Sequence, residues 1–167
     1  MDWRERLRRL LPGAWLGLLL GVALLATPAP FAVLERPLVG RVVAWIFARE
    51  AATSVVLAML LLMIERRRAL DAWQAGEGAS QFSAPMVGAL VALACTLLGY
   101  YGLQPAMEQA RAGGPTMLSF GQLHAVSLGL FAVKICAVAA LAWGATGAAA
   151  AAGAMAGDGP VSPPASS

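Results

Sequence analysis

From Phe120 to Trp143 the chain reads FGQLHAVSLGLFAVKICAVAALAW. About 20 apolar residues rising ~1.5 Å each cross a ~30 Å hydrocarbon core as one helix, and this run is long enough to do so. It nevertheless holds the only histidine and the only lysine of the protein, His124 and Lys134. His124, Ser127, Phe131 and Lys134 follow one another at spacings of 3, 4 and 3, which puts them on one stripe of a helix. A polar stripe is expensive against lipid. It should face other helices or a wet cavity, and the functional question starts there.

The rest of the chain has the same character. Hydrophobic residues make up 59% of 167 and charged residues 13%, with a mean hydropathy of +0.71. A soluble domain of this size would leave too much apolar surface in water, so the composition implies an integral membrane protein. The net charge of +3 does not point to nucleic acid, because the arginines fall in short clusters beside apolar runs rather than on a basic face. Cys95 and Cys136 lie inside apolar runs, form no CxxC pair, and read as buried structural thiols.

Three further runs complete an all-α, four-span membrane domain over residues 14–146, packed as two antiparallel hairpins, with spans near 14–34, 42–64, 86–103 and 120–143. A basic segment, residues 1–13, precedes it. Gly13, Gly17 and Gly21 recur every four residues and form a ridge that another backbone can approach closely. Pro28 and Pro30 remove two amide donors and should kink or end the first helix. The run continues past Ala29, which argues for a retained helix over a cleaved leader. The second span carries Arg49, Glu50, Thr53 and Ser54 and ends at Glu65 and Arg66 to Arg68. Beyond the fourth span the alanine- and glycine-rich segment 147–167 has too little apolar surface to order itself and reads as a disordered tail.

Arg4, Arg6, Arg8 and Arg9 precede the first span and Arg66, Arg67 and Arg68 follow the second. The other two links hold only Arg36, Arg41 and Arg111. This asymmetry places both termini in the cytoplasm of a plasma membrane. Trp15, Trp45, Tyr100, Tyr101 and Trp143 fall near span ends, as an interfacial aromatic belt requires. The two halves are faintly alike, each with a proline near the outer end of its first helix and a phenylalanine in or before its second.

These pieces resemble a known group. Trp15-x-Gly17, Pro30-Phe31, Gly40-Arg41-Val42-Val43 and Ile46-Phe47 form one block, and Tyr101, Pro105 and Phe120-Gly121-Gln122-Leu123-His124-Ala125-Val126-Ser127 form a second. Together they resemble the bacterial four-helix membrane domain of unknown function related to eukaryotic transmembrane protein 205, over about Trp15 to Trp143. The F-x-x-L-H-x-x-S run is the most specific part. The chain departs from that group at Phe131, where many relatives have asparagine, and at Ala48, Arg49 and Glu50, where several have a proline. The resemblance implies a bacterial inner-membrane protein with four helices. For the eukaryotic relative it implies a link to platinum-drug resistance and vesicle traffic, with no settled activity.

Glu50, His124, Ser127, Lys134, Thr53 and Arg49 are the candidate intramembrane polar site. Glu50 lies about two turns into its span, where an ionised carboxylate needs a partner. Arg49 points ~100° away around the helix, so His124 or Lys134 across the bundle is the better partner. Lys134 is too deep for its side chain to reach either surface by snorkelling. A purely structural account of each is an ion pair or interhelical hydrogen bond that fixes register.

One histidine is too few for a bis-histidine haem, ligands at zinc spacing are lacking, and no phosphate loop or Ser-His-Asp order is present. No enzyme activity and no cofactor is therefore expected. The expected partners are membrane lipid and, for a four-helix transporter, further copies of the chain. Two functions fit: permeation or transport of a small solute through a polar cavity, or a scaffold whose polar residues only lock packing. The cavity would be bounded by Thr27 to Pro30, Glu50, Thr53, Tyr101, His124 and Ser127.

Overall fold

The computed structural model describes residues 3–76 and 82–157, and among them every regular element is helical. Helix α1 spans Trp3–Gly21 and passes through a π-helical turn, Val22–Ala26, into α2, Pro28–Val33. Helix α3 is Arg36–Gln74. Helix α4, Ala84–Thr96, passes through a second π-helical turn, Leu97–Gly102, into α5, Gln104–Arg111, and α6 is Phe120–Gly157. Trp3–Val33, Leu38–Gln74, Ala84–Arg111 and Phe120–Gly147 are each long and apolar enough to cross a membrane. The all-α, four-span fold class is the one the sequence implies.

Several helices outrun their apolar stretches. Helix α1 begins well before residue 14 because Arg8 and Arg9 both bond Glu5, at 2.9 and 2.8 Å, across one helical turn. Helix α3 continues past the three arginines and stops before Gly76, whose φ of +76° supplies the left-handed turn that ends it. Helix α6 runs to Gly157, so the segment expected to be disordered is helical over 147–157. Alanine is the best helix former and needs no buried face to continue a helix already begun. The remainder of that tail, 158–167, lies outside the described residues.

The two π turns have a common cause. A proline ring clashes with the carbonyl four residues back and offers no amide to it. Ahead of Pro28 the chain widens by one residue, and the Thr27 amide donates to the Val22 carbonyl at 2.9 Å. Ahead of Pro105 the Leu103 amide donates to the Leu98 carbonyl at 3.0 Å. The first and third spans therefore share one device: a π turn followed by a short, proline-opened helix.

Helix α1 packs on α3 and α6, and α4 packs on the same two. The order around the bundle is α1, α3, α4, α6, which sets α3 and α6 on a diagonal. Packing forms a closed ring in which α1 meets α6 as well as its sequence neighbour. The half of the bundle nearer the amino terminus is solid: Trp15, Leu19, Ala58, Ala92 and Val138 form its core, with Leu61, Ala89 and Leu141 beyond. Trp15 is thus a core residue, 1% exposed, and not part of an interfacial belt. Trp45, Tyr101 and Trp143 are exposed, as a belt requires. Cys95 is buried, but Cys136 faces outward, contrary to the expectation for both thiols.

The glycines fall into two groups. A methyl group built on Gly13, Gly17 or Gly21 meets nothing, so the ridge faces away from the bundle. On Gly88 the same methyl would lie 2.8 Å from Leu141 Cδ2, so Gly88 is where α4 and α6 approach closely. Gly88→Ala should therefore lower stability by about 1–3 kcal/mol through overpacking. Gly17→Ala should be neutral or raise it by up to about 1 kcal/mol through helix propensity. Unfolding of the two variants in detergent–lipid micelles checks this, and equal effects would contradict the packing.

Candidate functional site: a cavity on the bundle diagonal

Glu50 and Lys134 project from the two diagonal helices and meet at the centre of the bundle. Lys134 Nζ donates to Glu50 Oε1 at 2.8 Å and to Oε2 at 3.0 Å. Both residues are almost fully buried, at 4% and 3% exposure. Neither charge would be tolerated alone at this depth; together, each neutralises the other. The remaining side of the ammonium lies over the Phe131 ring, 4.7 Å from its centroid.

The carboxylate is held from behind as well. Ser54, one turn along α3 and fully buried, donates to Glu50 Oε1, and the Trp15 indole donates to Ser54 Oγ at 2.9 Å. A chain of bonds thus runs from α1 through α3 to α6: Trp15 to Ser54 to Glu50, met by Lys134. Each polar atom in it has a partner, the condition under which a buried network is stable.

On the other side of the ion pair, toward the end of the bundle that carries His124, the centre is open. A cavity of about 340 Å³ lies between α3, the α4–α5 span and α6. The π turn at Leu97–Gly102 and the proline-opened α5 shape this wall of it. Glu50, Lys134 and Thr96 form its floor; Phe47, Phe131 and Val43 form apolar walls; Arg111 and His124 stand toward its mouth. The helical stripe of His124, Ser127, Phe131 and Lys134 lines it throughout, as its spacing implies.

Of the six candidate residues, the structure brings Glu50, Lys134, Ser127 and His124 to the cavity and leaves two outside. Thr53 is exposed and donates to the Arg49 carbonyl at 2.8 Å, and the Arg49 guanidinium lies 5.2 Å from the Trp45 ring centre. Both occupy the face of α3 turned away from Glu50. Thr27 to Pro30 and Tyr101 are likewise absent from the lining, where Phe31 and Tyr100 appear instead. His124 does not contact Glu50; its ring stacks on Phe120 at 6.1 Å and 9°.

Four contributors are not assigned to the site by the sequence: Trp15, Thr96, Tyr100 and Arg111. Ser54 was noted only as a polar residue of its span, although its place one turn from Glu50 puts it on the same face. Arg111 counted only as a loop charge. It closes α5, and its guanidinium lies 5.1 Å from the Phe120 ring centre and reaches toward Gly40 of α3.

A second buried carboxylate marks the opposite end. Glu65 of α3 accepts from Ser83 at 3.1 Å and lies 3.8 Å from Arg8. Ser83 also caps α4 by accepting from the Met86 amide. This cluster ties α1, α3 and α4 together.

Four apolar helices around a polar centre define a multi-pass membrane protein. Its family follows from the sequence match. Residues 10–116 match the family described as Domain of unknown function (DUF4149), more than half of the chain, and the protein belongs to that family. No curated protein and no solved structure matches it.

Proposed function

We propose that this protein binds a small solute in the diagonal cavity and passes it across a bacterial inner membrane, alone or as part of a larger transport assembly. The observation that carries this reading is a cavity that reaches mid-bundle and ends on a charged pair. A bundle with no transport role is expected to fill its centre with apolar side chains, as the other half of this one does. Solute pockets combine apolar walls with a few placed polar groups at about this size. In the same reading both termini are cytoplasmic, following the arginine asymmetry, the cavity opens to the outer side, and the protein is no enzyme. Kinship with eukaryotic transmembrane protein 205, suggested by the run from Phe120 to Ser127, belongs to this reading too.

The completeness of the Glu50–Lys134 pairing favours a second reading, a scaffold whose polar centre sets helix register. Flux separates the two. Proteoliposomes should swell in glycerol, urea or acetate faster than empty vesicles. Ser127→Trp, which fills the cavity from α6, should abolish the difference while leaving the unfolding transition in place. Swelling no faster than in empty vesicles for every solute would leave the scaffold.

A further inference from the structure

We propose that the cavity selects a small organic monoanion with an apolar body, an aromatic or short-chain carboxylate, and that Arg111 holds its charged head. This names the solute class of the site described above and rests on that reading.

The charges of the lining decide the sign. Lys134 and Glu50 cancel, and Lys134 has both carboxylate oxygens and an aromatic face around it. Arg111 is then the net charge of the cavity, and among the described residues it has no ion-pair partner. Three elements surround it. It projects from the end of α5, stacks on Phe120 of α6, and brings Nη1 to 3.9 Å from a methyl group built on Gly40 of α3. The guanidinium therefore lies at the cavity's edge. Its N–H donors have no carboxylate partner among the described residues, and a planar fork of such donors matches a carboxylate. His124 stacks on the same Phe120 ring and also lines the cavity.

The walls decide the body of the ligand. Val43, Phe47 and Phe131 form the cavity's apolar walls, and the two phenylalanine rings meet edge to face at 5.6 Å. Such a wall offers nothing to a sugar or a hydrated metal ion and suits a flat or linear hydrocarbon body. A volume of about 340 Å³ admits a small molecule of this kind. The neutral floor does not compete for the anion's charge, so the head group stays at the mouth.

Cys95 lines the same cavity and is a built-in reporter. The experiment uses the full chain in lipid nanodiscs with Cys136→Ser, and compares anionic sulfonatoethyl with cationic trimethylammonioethyl methanethiosulfonate at Cys95. The anionic reagent should gain about tenfold in rate over the cationic one relative to the same pair acting on free cysteine. That preference should collapse in Arg111→Gln and persist in Arg111→Lys. Benzoate should slow the modification, whereas benzylammonium and benzyl alcohol at equal concentration should not. A rate ratio unchanged by Arg111→Gln, or equal protection by benzylammonium, overturns the proposal and reduces Arg111 to a surface stacking contact; the cavity reading survives that result. Failure of both reagents to reach Cys95 overturns both, because the cavity is then closed to solutes of this size.

Discussion

Lys134→Leu, with Glu50 left in place, should lower stability by about 3–5 kcal/mol, because a carboxylate at the bundle centre loses its counter-charge. Among the described residues Ser54 would remain as its bonded neighbour and cannot neutralise it. Glu50→Ala should be costly for the mirror reason, stranding the ammonium. Combining Glu50→Ala with Lys134→Leu should be less damaging than Glu50→Ala alone, since no charge is then left without a partner. Unfolding in mixed micelles of the four members of this cycle gives the coupling energy. Simple addition of the two single losses would mean that the residues do not meet.

Trp15→Ala should have an effect of similar size, about 3–5 kcal/mol, through the cavity it opens in the solid half of the bundle. Trp15→Phe keeps most of the ring but loses the indole donor to Ser54, so about 1–2 kcal/mol should go. Trp143→Ala should change little, because that side chain is 82% exposed. Thermal unfolding of the three variants in the same lipid mixture is the measurement. Equal losses at Trp15 and Trp143 would contradict the burial of the first.

The fold was legible because its strongest term is composition. Four apolar runs of bilayer length leave few alternatives, and Pro28 and Pro30 mark where the first span deforms. Helix ends were less legible. The extensions of α1, α3 and α6 depend on local pairs and propensity, such as Glu5 with Arg8 and the alanines before Gly157, not on hydropathy. For the polar site, period 3.6 sufficed along α6, where His124, Ser127, Phe131 and Lys134 do share one wall. It sufficed across the bundle only for Glu50 and Lys134, whose depth and charge make partnership nearly obligatory. Arg49 and Thr53 were drawn in by adjacency to Glu50, and the helical twist turns them away. Trp15 lies near the start of its apolar run, where an interfacial place and a core place look alike. Arg111 was hidden because its importance comes from α5 bending it over the mouth, a tertiary effect with no local signature.

The diagonal ion pair also has a consequence for how the protein is made. Glu50 and Lys134 are separated by 84 positions in the chain. The second span therefore leaves the ribosome, and can enter the membrane, well before its counter-charge has been synthesised. A lone acidic residue at mid-helix opposes insertion by roughly 2.5–3.5 kcal/mol, which the apolar remainder of that span must outweigh for the interval. Once the fourth span arrives, the pair forms and the charge is masked. A nascent chain stopped before Phe120 keeps an exposed acidic group within the bilayer, the kind of feature that membrane quality control can recognise. The same contact that closes the bundle thus distinguishes a finished protein from an unfinished one.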